Sequence, residues 1–192
     1  MTRTSGELHN TTIAILATDG VEEVELTGPR EAVEDAGARA VLVTPGGRGI
    51  QAYRHDVEAA DSFTAEEDLD SCDPADYDGL ILPGGTTNPD KLRTHPATSS
   101  LIRKFVTSGR PIAAICHGPW SLVEADVLRG KTLTSWPSLQ TDIRNAGGTW
   151  TDAEVVVCAA NHWTLVTSRS PEDLPAFNRA ILDEFARSGS RA

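Results

Sequence analysis

Cys116 ends the apolar run Pro111-Ile-Ala-Ala-Ile115 and is followed at once by His117-Gly118-Pro119-Trp120. A thiol beside an imidazole can be deprotonated to a thiolate and attack an electrophilic carbon. A continuous apolar pentapeptide reads as a strand buried on both faces, as in a parallel sheet. The amphipathic stretch from Ser121 to Leu128 reads as a helix, so Cys116 falls on the turn between them. There, free backbone N–H groups and the positive end of the macrodipole favour a thiolate. The competing reading is an inert small hydrophobe, the usual state of a cysteine in an apolar strand. The abrupt change from a core strand to a polar, tightly turning His-Gly-Pro raises the catalytic reading. His117 can act as base if the turn is strained enough to bring sequence neighbours together, or it can serve through its backbone N–H alone.

Two other clusters offer parts for such a site. Glu22, Glu23 and Glu25 follow the first apolar run. A helix starting near Glu22 puts Glu25 one turn in and on the same face. Three glutamates there ordinarily complement the macrodipole, but one must point over the strand ends toward Cys116. A neutral carboxyl at that place can donate to the thiolate or relay a proton. Gly84-Gly85 reads either as a plain tight turn or, with the His117 N–H, as an oxyanion hole.

Other features carry less. Pro45-Gly46-Gly47-Arg48-Gly49 lacks the spacing of a dinucleotide loop and leads into an alternating pattern, not a helix. No Walker sequence or HExxH occurs, and no metal or other cofactor is expected. Glu66, Glu67, Asp68, Asp70, Asp73, Asp76 and Asp78 lack the spacing of a calcium loop and read as a solvated loop and helix face. Cys72 sits among carboxylates that disfavour its thiolate, and Cys158 has a strand context. The 192 residues carry a formal net charge of −11, which speaks against nucleic acid or an anionic membrane as partner. Three cysteines without a CxxC pair, and a polar Met1–Asn10 with no apolar leader segment, point to a reducing cytoplasm.

The elements that must position these residues alternate. Apolar runs at Thr11–Thr18, Ala40–Thr44, Tyr77–Leu82 and Pro111–Ile115 read as buried strands. Ile50–Ala59 reads as a hairpin or edge strand, Lys131–Ser135 as a short strand, and Glu154–Ser168 as two strands around a long turn. Helical patterns continue through Gly28–Ala36 and cover Lys91–Ser108, Ser138–Ala146 and Pro171–Arg187, the last with Gly189 after its end. Alternation at this spacing means a βαβ sandwich with a mostly parallel sheet, and ligands bind at the carboxyl ends of its strands. One domain is expected, residues 11–188, behind a polar tail of residues 1–10.

The chain resembles the PfpI-type intracellular protease family, within the flavodoxin-like, class I glutamine amidotransferase-like superfamily that includes the parkinsonism-associated protein. The stretches that carry the resemblance are DGVEEVELTGP at 19–29, YDGLILPGGTTNPDKLR at 77–93, and AAICHGPWSLVEADVLRGKTLTS at 113–135. PSLQTDIRNAGGTWTDAEVVV at 137–157 and LVTSRSPEDLPAFNRAI at 165–181 continue it. It implies a flavodoxin-like α/β three-layer sandwich whose nucleophile elbow carries Cys116, with His117 as the adjacent histidine. It implies that Glu25 contacts the sulfur, and that Gly85 and the His117 backbone form the oxyanion hole. Asp90 falls where the family has an acidic residue reaching a neighbouring subunit's histidine, which makes a homodimer or hexamer part of the expectation. Asp90 is a methylene shorter than the glutamate of archaeal protease members, and the turn Cys158–Thr164 is longer than the family's usual one. Gly84 and Trp120 are candidates for the substrate pocket.

The implied function is that of a cysteine-dependent hydrolase: a deglycase, glyoxalase-like enzyme or peptidase acting on small carbonyl compounds, glycated adducts or peptides in stress protection. The alternative is a non-enzymatic redox sensor or holdase with an oxidisable Cys116. Amidotransferase activity would need a synthetase partner and a glutamine pocket, neither visible in the sequence.

Overall fold

Ile13 and Ile15 face one side of the first strand and Ala14 and Leu16 the other, and all four are fully buried. Only a sheet covered on both faces accommodates such a run. In the computed structural model, which describes residues 8–188, that strand is β1 (Thr12–Leu16). It leads through β2 (Val21–Glu22) into α1 (Glu23–Asp35), followed by β3 (Arg39–Thr44). A hairpin of β4 (Ile50–Arg54) and β5 (Glu58–Phe63) and the short β6 (Glu67–Asp68) precede β7 (Gly79–Leu82). Then come α2 (Thr87–Arg93), α3 (Pro96–Thr107), β8 (Ile112–Ile115) and α4 (Pro119–Glu124). The remaining elements are β9 (Thr132–Leu133), α5 (Gln140–Asn145), β10 (Thr149–Trp150), β11 (Val155–Cys158), β12 (Leu165–Ser168) and α6 (Leu174–Ser188).

The main sheet runs β11-β12-β8-β7-β1-β3-β6 and is parallel except for β11. On one face, Ile13, Ile15, Leu42, Ile81 and Ile115 pack under α1 and α6 through Leu26, Val33, Phe177 and Phe185. On the other, Leu16, Val43, Leu80 and Leu82 pack under α2 to α5 through Leu92, Ile102, Phe105, Leu122 and Ile143. This is the flavodoxin-like three-layer sandwich. The strand order reverses at β1, which has β7 on one side and β3 on the other, so the crevice for a ligand opens at the carboxyl ends of β1, β7 and β8. No helix among the described residues is long and apolar enough to cross a membrane.

Several boundaries depart from the expectation. The helix expected over Lys91–Ser108 is two helices, because Pro96 forces His95 into an extended conformation (φ −94°, ψ 116°). The helix expected over Ser121–Leu128 starts at Pro119 and ends at Glu124, before Asp126 turns left-handed (φ 54°). The hairpin of β4 and β5 joins β2 in a separate three-stranded sheet rather than the edge of the main one. The acidic stretch forms β6, turns and a single 3-10 turn at Pro74–Asp76 capped by Asp73, rather than an α-helix face; Glu66 there accepts from Leu42 N and pairs with Arg30 at 3.0 Å. Residues 1–7 of the polar tail and Gly189 lie outside the described residues.

The long turn after β11 lies at the amino ends of β8 and β12, where Leu165 pairs with Ile112, and thus far from Cys116. It is anchored rather than a free excursion. Lys131 is fully buried, its Nζ donates to the carbonyls of Cys158, Ala160 and Trp163, and it lies 3.8 Å from the centre of the Trp163 ring. A buried ammonium is tolerable only with such partners.

Candidate active site

The turn after β8 is strained at the residue that matters. Cys116 has φ 59°, a left-handed conformation that costs a non-glycine residue roughly 1–2 kcal/mol. The surroundings impose it: Cys116 N donates to Ser168 O at 3.1 Å, and Cys116 O accepts from Trp136 N at 2.9 Å. The result is a nucleophile elbow that brings sequence neighbours together, with Cys116 Sγ 3.2 Å from His117 Nδ1. His117 Nε2 lies 3.4 Å from Ser138 Oγ. If Nε2 carries the hydrogen and donates to Ser138, Nδ1 is free to take the thiol proton. Burial lowers the pKa of His117, so the ring is neutral at pH 7 and able to accept.

The three glutamates after β1 do three different things. Glu22 is the residue preceding α1 and lines the cavity. Glu23 pairs with Arg54 at 2.6 Å and accepts from Asp61 N, tying the β4–β5 hairpin to the main body. Glu25, one turn into the helix, is wholly buried beneath the sulfur. Its Oε2 accepts from Gly84 N at 2.8 Å, and its Oε1 has no hydrogen-bond partner among the described residues. Burial raises the pKa of Glu25 to about 8, against the pull of the Gly84 N–H and the contact with Cys116. At neutral pH the carboxyl therefore holds a proton and can donate to the thiolate.

The thiol itself is pushed well above its ordinary range, first by burial and then by the charge of Glu25. This corrects the expectation of a helix terminus that lowers it. The N–H groups of His117 and Gly85 do face the sulfur and favour the thiolate. But α4 has only six residues and Cys116 is 7% exposed, so desolvation wins. Thiol and carboxyl compete for one negative charge, and the pair titrates as a unit.

Gly84 fills the gap between carboxyl and sulfur. A Cβ there would stand 2.5 Å from Glu25 Oε2, 2.8 Å from Cys116 Cβ and 2.9 Å from His117 N. We expect Gly84→Ala to cost about 2 kcal/mol of stability, as overpacking does, and at least about tenfold in turnover, read by urea denaturation and steady-state kinetics. Gly85, at φ 76°, turns its N–H toward the sulfur. Asn88, fully buried, holds the loop: its Nδ2 donates to Pro83 O and Gly84 O at 3.0 Å, and its Oδ1 accepts from Thr18 N at 2.8 Å.

Above these groups is a cavity of about 260 Å³ lined by Glu22, Val24, Glu25, Arg54, His55, Asp56, Gly85, Cys116, His117, Trp136, Pro171 and Glu172. Of the residues expected from sequence, Cys116, His117, Glu25 and Gly85 converge here. Gly84 and Trp120 do not line it. The Gly84 N–H is spent on Glu25, while Trp120 backs His117 at 5.5 Å between ring centres and donates from Nε1 to Asp142 at 2.8 Å. The aromatic wall is instead Trp136, 41% exposed and stacked on His117 at 5.8 Å. Asp90 is exposed on α2 and outside the cavity of its own chain. Sequence reading missed Trp136, Asn88 and the hairpin tip at His55-Asp56, although an Asn after Gly-Gly and a tryptophan after a short strand were there to be weighed.

An α/β sandwich with a cysteine at a nucleophile elbow, a histidine beside it and a buried glutamate below defines a class of thiol-dependent proteins. The chain belongs to the DJ-1/PfpI family, whose model matches residues 11–184. It is similar to protein/nucleic acid deglycase 2 of Escherichia coli K12, 41% identical over 171 residues, 88% of this chain and 95% of that one. It is 37% identical over 171 residues to general stress protein 18 of Bacillus subtilis 168, covering 88% and 95%. Among solved structures, a two-domain protein of Anabaena variabilis with DJ-1/ThiJ/PfpI-like and ferritin-like domains superimposes with a TM-score of 0.83 at 31% identity. That match covers 94% of this chain and half of the Anabaena one.

Proposed function

We propose that this protein is a cytoplasmic cysteine-dependent hydrolase that removes small carbonyl adducts, a deglycase, with Cys116 as nucleophile. The observation that carries this reading is the convergence of sulfur, Nδ1, a proton-bearing carboxyl and two N–H groups at the floor of one small cavity. The thiol gives its proton to His117 Nδ1, and the sulfur lone pair adds to the carbonyl carbon. The π pair moves onto oxygen, where the Gly85 and His117 N–H groups receive it. On the neighbouring aminocarbinol carbon the hydroxyl closes to a carbonyl as the C–N bond breaks; the amine leaves with the proton from His117, and the hydroxyl proton passes to the oxyanion. Reversal of the sulfur addition then restores the Cys116 thiol and frees the dicarbonyl, which water hydrates. Glu25 stabilises the thiolate at the start and end of the cycle.

The relatives named deglycase support a carbonyl-adduct substrate. So does the cavity, whose 260 Å³ suits a small adduct better than a stretch of folded polypeptide. Its lining carries the carboxylates Glu22, Asp56 and Glu172, while the nearby Arg54 is engaged by Glu23. That balance favours cationic and neutral adducts over free carboxylates. The test is to assay the purified protein against methylglyoxal adducts of arginine and lysine, methylglyoxal itself and a peptide panel. Turnover of the adducts supports the reading; cleavage of peptides alone overturns it in favour of a peptidase.

We further propose a homodimer or hexamer in which Asp90 of one copy approaches His117 of another on its Ser138 side, where Ser138 is exposed beside the buried ring. Asp90→Asn is then expected to leave the assembly intact by light scattering and to lower turnover about tenfold, the loss of a group that orients a base. Unchanged turnover removes Asp90 from the site.

A further inference from the structure

The tip of the β4–β5 hairpin is built at a cost. Val57 N closes the turn onto Arg54 O at 3.3 Å, and the two residues between, His55 and Asp56, have φ 53° and 64°. Turns of this kind are normally made with Asn-Gly, because both positions are left-handed. Strain at consecutive side-chain-bearing residues persists only where the surroundings hold it, and it gathers at functional sites.

Glu22 faces the backbone N–H groups of His55 and Asp56, which favour its charged form. Asp56 in turn reaches across to the loop after β7. Its Oδ1 accepts from Thr86 N at 2.6 Å and its Oδ2 from Thr86 Oγ1 at 2.8 Å. Thr86 directly follows Gly85, whose N–H faces the sulfur. The preceding part of the loop is held by Glu25 and Asn88, which engage Gly84 N and the carbonyls of Pro83 and Gly84. Gly85 has no side chain of its own to hold it, and a glycine is the residue most free to turn.

We propose that Asp56 is a positioning residue that clamps Thr86 and thereby aims the Gly85 N–H at the oxygen of the reacting carbonyl. The proposal rests on Cys116 and Gly85 acting as nucleophile and oxyanion donor. It adds that the hairpin of the small sheet, besides walling the cavity with His55 and Asp56, sets the catalytic geometry of the main one.

The test compares two reactions of the same sulfur. p-Nitrophenyl acetate acylates Cys116 through a tetrahedral oxyanion, whereas iodoacetamide alkylates it by displacement at a saturated carbon and builds none. Asp56→Asn and Asp56→Gly both keep a residue that accepts the left-handed turn, and both remove the carboxylate. Each is expected to slow acylation about tenfold, below the 10²–10³ lost with a whole oxyanion donor, while alkylation stays within about twofold of the wild type. Asp56→Gly is expected to lower the thermal midpoint by only a few degrees, because the loss of two exposed hydrogen bonds is partly offset by relief of the turn.

Acylation at the wild-type rate in both variants overturns the clamp. So does a parallel fall of acylation and alkylation, which marks a general loosening of the site. A wild-type Cys116 that the ester does not acylate overturns both the clamp and the nucleophile reading. A selective loss of acylation in a protein that turns over no glycated adduct upholds the clamp and sinks the substrate assignment alone.

Discussion

Cys116→Ser is expected to lower turnover of any carbonyl substrate by more than about 10³-fold while leaving the fold and its melting temperature close to wild type. Serine preserves the Cβ that Gly84 packs against, and the elbow's hydrogen bonds to Ser168 O and from Trp136 N are made by backbone atoms. What changes is the acid. A serine hydroxyl is a far weaker acid than a thiol, and this position already penalises negative charge through burial and through Glu25. His117, with its pKa lowered by burial, is too weak a base to compensate. The hydroxyl would instead accept from the protonated Glu25 carboxyl and settle as a neutral pair. Losing the nucleophile of a catalytic unit costs nearly as much as losing the unit. Steady-state kinetics alongside circular dichroism check this, and a Cys116→Ser variant with full turnover ends the mechanism.

The part of this site legible in the sequence is the part made by one segment at a time. A buried strand that stops at Cys-His-Gly-Pro announces an elbow, because local composition dictates both the strand and the turn. Helical spacing left Glu22, Glu23 and Glu25 as candidates, and the family resemblance singled out Glu25. Its neutral state was not legible, since that depends on complete burial winning over the pull of the Gly84 N–H, 59 residues away in the chain. The same holds for Trp136. It lies after a short strand with no periodic signal, and only the pairing of its N–H with Cys116 O turns it to the cavity. Trp120 drew notice by standing next to the cysteine motif, yet the first turn of α4 directs it behind His117 toward Asp142.

The fold shows the same division. The parallel sheet follows from four apolar runs separated by helical patterns, and the reversal of strand order at β1 puts the glutamates, the glycines and the cysteine at one end. The two-sheet arrangement was not legible, because β2 has only two residues and its pairing with β4 is a tertiary event. Lys131 is the clearest case of a residue whose type misleads. A lone lysine before a short strand reads as surface, but three carbonyls and an indole ring make its burial tolerable and fix the long turn far from the site.

Glu25 links stability to activity, and the sign of that link can be tested. Its folded pKa of about 8 lies above the ordinary 4.5, so the folded state holds a proton that the unfolded chain has released. Its contribution is fully present below pH 4.5 and is lost as the pH rises through 8. Other groups confuse the acid side. Glu23, Glu172 and Asp173 have lowered values whose effects are complete above about 4.5, and His117, also lowered, stabilises progressively up to about 6.5. Between pH 6.5 and 8 the decline belongs chiefly to Glu25 and amounts to about 1.5 kcal/mol. Glu25→Gln is expected to flatten the stability curve in that window, measured by urea denaturation at several pH values. The amide can still donate to the thiolate but cannot exchange a proton, so turnover at pH 7 should fall about 10²-fold, the usual worth of a positioned acid–base group. In the wild type, turnover should climb as the Cys116–Glu25 pair loses its first proton near pH 8, and in Glu25→Gln that limb should move to the titration of the thiol alone. A variant with an unchanged stability slope would mean that Glu25 is ionised in the folded protein, and the donor to the thiolate would have to be sought elsewhere.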